Sequence, residues 1–174
     1  MSPFATRCAW MLSLSLIASQ ALALPEDREA PIRVQAQQMD WQQQTQTATY
    51  RGDVEVTQGE LKIEASELRL IRGAQGELQQ AIAQGQTPLA YMRDLPQLDQ
   101  PIVEAWAEVI DYHPASETLT LTGRARLIQG EDEFQGHRLV YHLTTQDLQA
   151  EQAPESSPAS RVEIILTPQR RENP

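Results

Sequence analysis

Three histidines, His113, His137 and His142, are the first candidates for acid–base or metal chemistry in this sequence. His137 and His142 are at odd and even positions of a segment predicted to be a strand, so their side chains point to opposite faces and would chelate a metal ion poorly. No serine lies in the turn context of a hydrolase nucleophile. We therefore interpret the histidines as solvated surface residues and expect no metal site.

Paired carboxylates are the second candidates, since Asp40 with Asp111, or Glu131 with Glu133, could act as an acid and a base. These residues fall at predicted turns or on exposed strand faces, where charged side chains are usually only solvated. The glycines of the segment 73–76 do not open a helix, so they do not form a phosphate-cradling loop. The sequence therefore predicts a protein that is not an enzyme and that needs no cofactor.

The N-terminal segment 1–23 has the pattern of a cleaved signal peptide. Arg7 gives a positive start, the segment 10–18 is apolar, and small residues precede a cleavage point after Ala23. An uncleaved anchor is the alternative, but a spanning helix needs about 20 apolar residues and this run ends sooner. Cleavage would remove Cys8, the only cysteine, and would leave residues 24–174 as one exported domain without disulfides.

The charge balance is acidic, with 24 Asp and Glu residues against 14 Lys and Arg residues and a formal net charge of −10. A surface of this kind repels nucleic acid and anionic membrane faces. We therefore expect no nucleic-acid partner. The length of 174 residues suits a single domain with a sizeable core.

Apolar and polar residues alternate along most of the chain. In the segments 47–57 and 118–127 the apolar residues, among them Tyr50 and Val56, recur at every second position and so fall on one inward face, which is the pattern of a half-buried strand. The segment 77–84 is rich in alanine and glutamine and could be a helix or a strand. Glycines, among them Gly123 and Gly136, predict the turns. These patterns favour an all-β protein.

The segment 40–70 is repeated at 111–141 at a constant offset without a gap, so that Asp40 aligns with Asp111 and Leu68 with Leu139. In both copies the alternation changes phase across a Gln-Gly-Glu turn that contains Gly59 or Gly130. A shared change of phase predicts a shared turn. We expect each copy to be a hairpin that buries its apolar face only by stacking on the other copy. The segment 150–160 is predicted to be a flexible loop.

The predicted interior contains few bulky side chains, because only two tryptophans and one phenylalanine follow the predicted signal peptide. A rolled sheet with so little to fill it could leave a gap for an apolar ligand, although a filled core has the same composition. The segments 31–36 and 161–167 are predicted to be edge strands at the two ends of the sheet. Exposed edges of this kind invite pairing with another chain.

Six segments of the sequence resemble a known protein family. The segments that show the resemblance are PIRVQAQQMDWQ, ATYRGDVEVTQGELKIEASEL, IAQGQTPLAY, PIVEAWAEVIDY, TLTLTGRARLIQ and RVEIILTPQ. They are similar, in the same order, to the OstA-like family of LptA-type bridge proteins in lipopolysaccharide transport. The resemblance begins at Pro31 and ends near Gln169, and its strongest motif is GDVEVTQGELKIEA at 52–65.

The resemblance implies a single-domain, slightly twisted, open antiparallel β-jellyroll in the periplasm. It implies a carrier that binds the acyl chains of lipid A in an apolar groove and forms a protein bridge between the inner and outer membranes. The implied partners are lipopolysaccharide, an LptC-like inner-membrane protein, an LptD-like outer-membrane protein and further copies of the chain, stacked head to tail through edge strands.

Two sets of residues are implied to carry this function. The lipopolysaccharide-binding groove is expected to contain Ile32, Val34, Tyr50, Val56, Ile63, Leu70, Arg72, Leu89, Tyr91, Tyr112, Leu119, Leu121 and Phe134. The partner contacts of the edge strands are expected to be Ile32, Val34, Val162, Ile164 and Leu166. The sequence departs from the family pattern in its longer, acidic loop at 150–160 and in having no lysine near Gln79.

Two alternatives remain at the level of the sequence. The first is a non-enzymatic periplasmic β-sandwich adaptor with a fully packed core, which binds only protein partners through its edge strands. The second is a carbohydrate-binding jellyroll, which would need an exposed row of aromatic residues. Trp41 and Trp106 are the tryptophans that could contribute to such a row.

Overall fold

The computed structural model describes residues 30–95, 100–152 and 162–166, and the predicted signal peptide lies outside these residues. The described residues form antiparallel strands and one short 3-10 turn at Pro114–Ser116, which confirms the prediction of an all-β fold. The strands are β1 (Arg33–Gln35), β2 (Gln38–Gln42), β3 (Thr47–Gln58), β4 (Leu61–Arg72), β5 (Leu78–Gln84), β6 (Ala90–Asp94), β7 (Val103–Ala107), β8 (Val109–His113), β9 (Thr118–Gln129), β10 (Asp132–His142), β11 (Leu148–Glu151) and β12 (Glu163–Ile165).

Four long strands, β3, β4, β9 and β10, each belong to two walls of one continuous sheet. One end of each long strand pairs with one set of short strands, and the other end pairs with a second set. The strand order is β1-β3-β4-β6-β7-β9-β10-β12 in the first wall and β2-β3-β4-β5-β8-β9-β10-β11 in the second wall. The two walls enclose the core, as the predicted single-domain, open antiparallel jellyroll requires.

The sequence repeat is also a structural repeat. Strand β9 begins and ends at the positions that the repeat makes equivalent to the ends of β3, and the same offset relates β2 to β8. Gly59 and Gly130, with φ of 56° and 61°, form the hairpin turn in the two copies. The predicted shared turn is therefore confirmed, and the chain consists of two similar halves joined through β5–β8 and β6–β7.

Gly52 and Gly123 lie inside the long strands β3 and β9, at equivalent bulges. Their φ values are 79° and 78°, and the register of each hairpin shifts at this point. The prediction that Gly123 and Gly136 lie in turns is wrong, because both residues are within strands. A bulge bends its strand and increases its twist, so these glycines mark where the long strands pass from one wall to the other.

We expect Gly123→Ala to lower the free energy of unfolding by about 1 kcal/mol or more, because alanine is strained at positive φ. A Cβ at this position would also lie 2.5 Å from the Glu108 Oε2 atom. Gly76→Ala is a matched control, since Gly76 has a φ of 89° and open space around its Cβ position. Urea unfolding measures both losses, and equal losses would contradict a contribution from the Glu108 contact.

The core is packed most completely in the second half of the chain. Its leucines in β9 and β10 and the adjacent Leu143 have side chains that are at most 1% exposed. Tyr141 is also 1% exposed, and burial raises the pKa of its phenol to about 12. This dense cluster anchors the two walls to each other at the end of the jellyroll that carries β11 and β12. Its fully buried members are Leu119, Leu121, Leu127, Leu139, Tyr141 and Leu143.

The loop predicted at 150–160 begins later than expected. Ala150 pairs with Leu139, and Glu151 pairs with Arg138, so these two residues belong to β11. The predicted boundary is wrong because the second wall gains a strand at this point, which alternating Leu148 and Ala150 provide on its inner face. Residues 153–161 lie outside the described residues.

Candidate functional site

A cavity of about 500 Å³ lies between the two walls in the first half of the chain. Its lining is mainly aliphatic and comes from both walls, with Val34, Val56 and Met92 from the first wall and Leu70 and Ala81 from the second. We call this cavity the groove. Its lining residues are Ile32, Val34, Tyr50, Val56, Gln58, Glu60, Leu61, Ile63, Leu68, Leu70, Arg72, Gly76, Leu78, Ala81, Met92, Asp94, Leu95, Tyr112 and Pro114.

The repeat identifies differences in side-chain size that favour a cavity in the first half. Position 63 is isoleucine where its equivalent at 134 is phenylalanine, and position 70 is leucine where its equivalent at 141 is tyrosine. The larger side chains help to close the second half, where Tyr141 is almost completely buried. In the first half, Leu70 remains partly exposed and borders the cavity.

The structure brings eight of the thirteen predicted groove residues together around this cavity. They come from β1, β3, β4 and β8 or lie beside these strands, which are far apart in sequence, so their convergence depends on the pairing of the walls. Their role in binding a ligand stays a prediction. The eight residues are Ile32, Val34, Tyr50, Val56, Ile63, Leu70, Arg72 and Tyr112.

The other predicted groove residues lie elsewhere. Leu119 and Leu121 are completely buried in the packed second half and do not border the cavity. Phe134 packs against the same core and pairs with Leu127 and Ile164. Leu89 is partly buried in the connection between β5 and β6, away from the cavity lining.

Tyr91 lies on the outer face of the first wall, and its predicted place in the groove is wrong. Its neighbours Ala90 and Met92 are the buried residues of β6, so the alternation turns Tyr91 outward. The Tyr91 hydroxyl donates a hydrogen bond of 2.6 Å to Glu104, and its ring lies 5.1 Å from the Trp106 ring. Desolvation and, to a smaller extent, Glu104 raise the pKa of Tyr91 to about 12.

Sequence reasoning missed several lining residues, of which Met92 and Ala81 are the clearest. Both are buried and alternate with more exposed neighbours, so the period-two pattern of β5 and β6 contained the signal. Polar or charged residues also border the groove, among them Gln58, Glu60 and Asp94. Glu60 accepts a hydrogen bond of 3.0 Å from Arg93.

Two of the three histidines and at least three of the four paired carboxylates considered for chemistry have partners within the fold, since Asp40 pairs with Arg51 and Asp111 accepts from Gln80. His113 lies 3.3 Å from Asp111, and His142 Nδ1 lies 3.2 Å from the Thr118 hydroxyl. Arg126 donates to Glu133, and this hydrogen bond is the main cause of a lowered pKa at that carboxyl. Among the described residues, no group of three potential ligands could hold a metal ion.

Exposed apolar side chains concentrate at the two ends of the walls. Ile32, directly before β1, and Met39 and Trp41 in β2 are 40–54% exposed. We call β1, β2 and the residues beside them the head edge. At the other end, Ile164 in β12 is 51% exposed and Leu166, directly after β12, is 65% exposed. We call β11, β12 and the residues beside them the tail edge. Of the predicted partner contacts, Ile32 lies at the head edge with the half-buried Val34, and Ile164 and Leu166 lie at the tail edge with the half-buried Val162.

Across residues 30–95, 100–152 and 162–166, no helix has the length and apolar character that a membrane-spanning helix needs.

Comparison with known proteins identifies the family. Residues 33–147 match the family described as LptA/(LptD N-terminal domain) LPS transport protein. The lipopolysaccharide export system protein LptH of Pseudomonas aeruginosa is 33% identical over 92% of each chain, and the protein LptA of Escherichia coli K12 is 30% identical over 91% of this chain and 83% of its own. The crystal structure of the periplasmic Pseudomonas aeruginosa LptH superposes with a TM-score of 0.71 at 32% identity, covering 83% of this chain and all of that one. The chain therefore belongs to the LptA/(LptD N-terminal domain) family of LPS transport proteins.

Proposed function

We propose that this protein is a periplasmic carrier of lipopolysaccharide that holds the acyl chains of lipid A in the groove. The observation that carries the proposal is the apolar cavity of about 500 Å³ between the two walls. Pockets that bind small apolar ligands have volumes of about 300–1,000 Å³. Each methylene group removed from water is stabilised by about 0.8 kcal/mol, so the groove offsets the cost of moving acyl chains through an aqueous compartment.

The proposed carrier performs no covalent chemistry. Membership of a family of transport proteins supports this view, and the candidate acid–base groups are held in ordinary surface contacts such as Arg126 with Glu133. The side chains would act by excluding water from the acyl chains and by keeping the two walls apart. The resident cavity favours this carrier over a fully packed adaptor.

We further propose that copies of the chain assemble head to tail and thereby form a bridge between the two membranes. Support comes from the head and tail edges, where Ile32, Trp41, Ile164 and Leu166 are exposed at opposite ends of the strand order. An unpaired strand edge presents backbone donors and acceptors to another strand. The same edges are the proposed contacts for an LptC-like protein at the inner membrane and an LptD-like protein at the outer membrane.

Photo-crosslinking tests the carrier directly, with p-benzoylphenylalanine placed at Tyr50 in the groove or at Tyr91 on the outer face. Both sites already hold an aromatic ring, so the two variants are matched. We expect covalent transfer to lipopolysaccharide from position 50 and a signal at least about tenfold weaker from position 91. Crosslinks to protein alone at both positions would contradict the carrier and favour the adaptor.

A further inference from the structure

The two halves of the chain provide a template for a junction between two chains. In the first half, Ile63 of β4 pairs with Met92 of β6, and in the second half the equivalent Phe134 of β10 pairs with Ile164 of β12. Strand β12 is therefore the equivalent of β6. Within one chain β6 pairs onward with β7, whereas in the described residues β12 pairs only with β10.

The second wall repeats the same relation. Leu68 of β4 pairs with Ala83 of β5, and the equivalent Leu139 of β10 pairs with Ala150 of β11. Strand β5 pairs onward with β8, whereas β11 ends the described strand order. Since β7 and β8 are the equivalents of β1 and β2, the tail edge of one copy matches the head edge of another copy in both walls.

The internal register then specifies the register between chains. Met92 lies opposite Ala105, and Ala81 lies opposite Tyr112. When the repeat is used to transfer these pairings to the junction between two copies, exposed apolar side chains of each edge lie opposite apolar side chains of the other edge. The resulting pairs, tail residue first, are Ile164 with Val34, Leu166 with Ile32, Leu148 with Trp41, and Ala150 with Met39.

One polar contact of the internal junction becomes an ion pair between chains. Inside the chain, the Tyr91 hydroxyl donates to Glu104 Oε1 at 2.6 Å across β6 and β7. The equivalent positions at the junction between copies are Glu163 and Arg33, both exposed. Opposite charges at this diagonal position of a strand pair attract each other.

A second polar contact becomes a repulsion. Gln80 Nε2 donates to both carboxylate oxygens of Asp111, at 2.9 and 3.0 Å, across β5 and β8. The equivalent residues between copies are Asp147 and Asp40, and a carboxylate has no hydrogen to donate. Arg51 already pairs with Asp40 at 2.7 Å within its own chain, so the junction would place a second carboxylate beside that ion pair.

We propose that two copies join in this register, that Glu163 and Arg33 attract across the junction, and that Asp147 facing Asp40 limits the strength of self-assembly. This inference rests on the proposed head-to-tail assembly and adds its register and its regulation by charge.

Self-association measured by analytical ultracentrifugation tests the repulsive contact. We expect Asp147→Gln, which restores the glutamine of the internal junction, to lower the dimer dissociation constant about tenfold. Glu108→Gln is the control, because it removes one negative charge in the interior of the strand order and leaves the dissociation constant unchanged. Equal dissociation constants for Asp147→Gln and the wild type would overturn the repulsive contact.

A charge-reversal cycle tests the attractive contact. We expect Arg33→Glu and Glu163→Arg to weaken self-association about threefold to tenfold each, and the double variant to recover most of the loss. Additive losses in the double variant would overturn the pairing of Glu163 with Arg33.

Disulfide formation tests the register without depending on affinity. In chains with Cys8→Ser, Gln35→Cys in one copy should crosslink to Glu163→Cys in another, since these residues fall directly opposite each other. The shifted pair of Gln35→Cys and Ile165→Cys should crosslink at least about fivefold less. Preferential crosslinking of the shifted pair would overturn the register while head-to-tail assembly stands. Monomers at every concentration and no crosslink in either pair would overturn the assembly itself.

Discussion

We expect Leu70→Glu to weaken the binding of a fluorescent lipid A analogue by about tenfold or more. Leu70 borders the groove and pairs with Ala48 and Ala81, so its side chain points into the space between the walls. A carboxylate there must either lose its hydration when an acyl chain binds or keep water in the groove. Both outcomes reduce the free energy gained by burying methylene groups.

Ile71→Glu is the matched control for this substitution. Ile71 is the next residue of β4, does not border the groove and is also partly buried. It should leave lipid binding within about twofold of the wild type, because alternate residues of a strand point to opposite faces. Fluorescence titration of both variants, with thermal unfolding to verify the fold, makes the comparison. Equal losses of binding would contradict the assignment of the groove to the inner face of β4.

We expect Leu139→Ala to lower the free energy of unfolding by about 2–5 kcal/mol, because truncating a fully buried leucine leaves a cavity in a close-packed core. Leu139 is completely buried between the walls of the second half. Leu70→Ala should cost about 1 kcal/mol, since its side chain already borders an open space and loses fewer contacts. Urea unfolding monitored by tryptophan fluorescence measures both changes.

The contrast between these two substitutions tests whether the second half is packed more tightly than the first half. A similar loss for both would mean that the first half is packed as tightly as the second, which would contradict the cavity beside Leu70. A small loss for Leu139→Ala would mean that the second half does not anchor the walls. The expected difference of about 1–4 kcal/mol is large enough to measure against the total stability of about 5–15 kcal/mol that is typical of a domain.

The repeat was the most informative feature of the sequence. The equivalence of Gly59 and Gly130 predicted the shared hairpin turn, because a change in alternation requires the same slip of register in both copies. The alternation also predicted that Tyr50 and Val56 lie on one inner face. These predictions depend on local geometry along a single strand, so the tertiary structure was not needed to make them.

The orientation of the Tyr91 side chain could not be predicted from the local sequence. The resemblance to the family suggested an aromatic residue in the groove, but the face of β6 depends on how that strand pairs with β4 and β7. Met92 lies opposite Ile63 and so takes the inner face, which leaves Tyr91 outside. A single residue of register decides this orientation, and the connection before β6 gave no periodicity from which to count.

The sequence by itself determined the all-β class, the two hairpin units, the apolar edges at both ends and the family to which the chain is similar. These properties follow from the period of the side chains and from the repeated turn, which act over short stretches of chain. Only the tertiary structure decided that an apolar cavity lies between the walls in the first half, while the leucines of β9 and β10 are almost completely buried in the second half. Packing between walls depends on the sizes of side chains that meet from distant strands, such as Tyr141 and the leucines around it, and no local pattern records which of them meet.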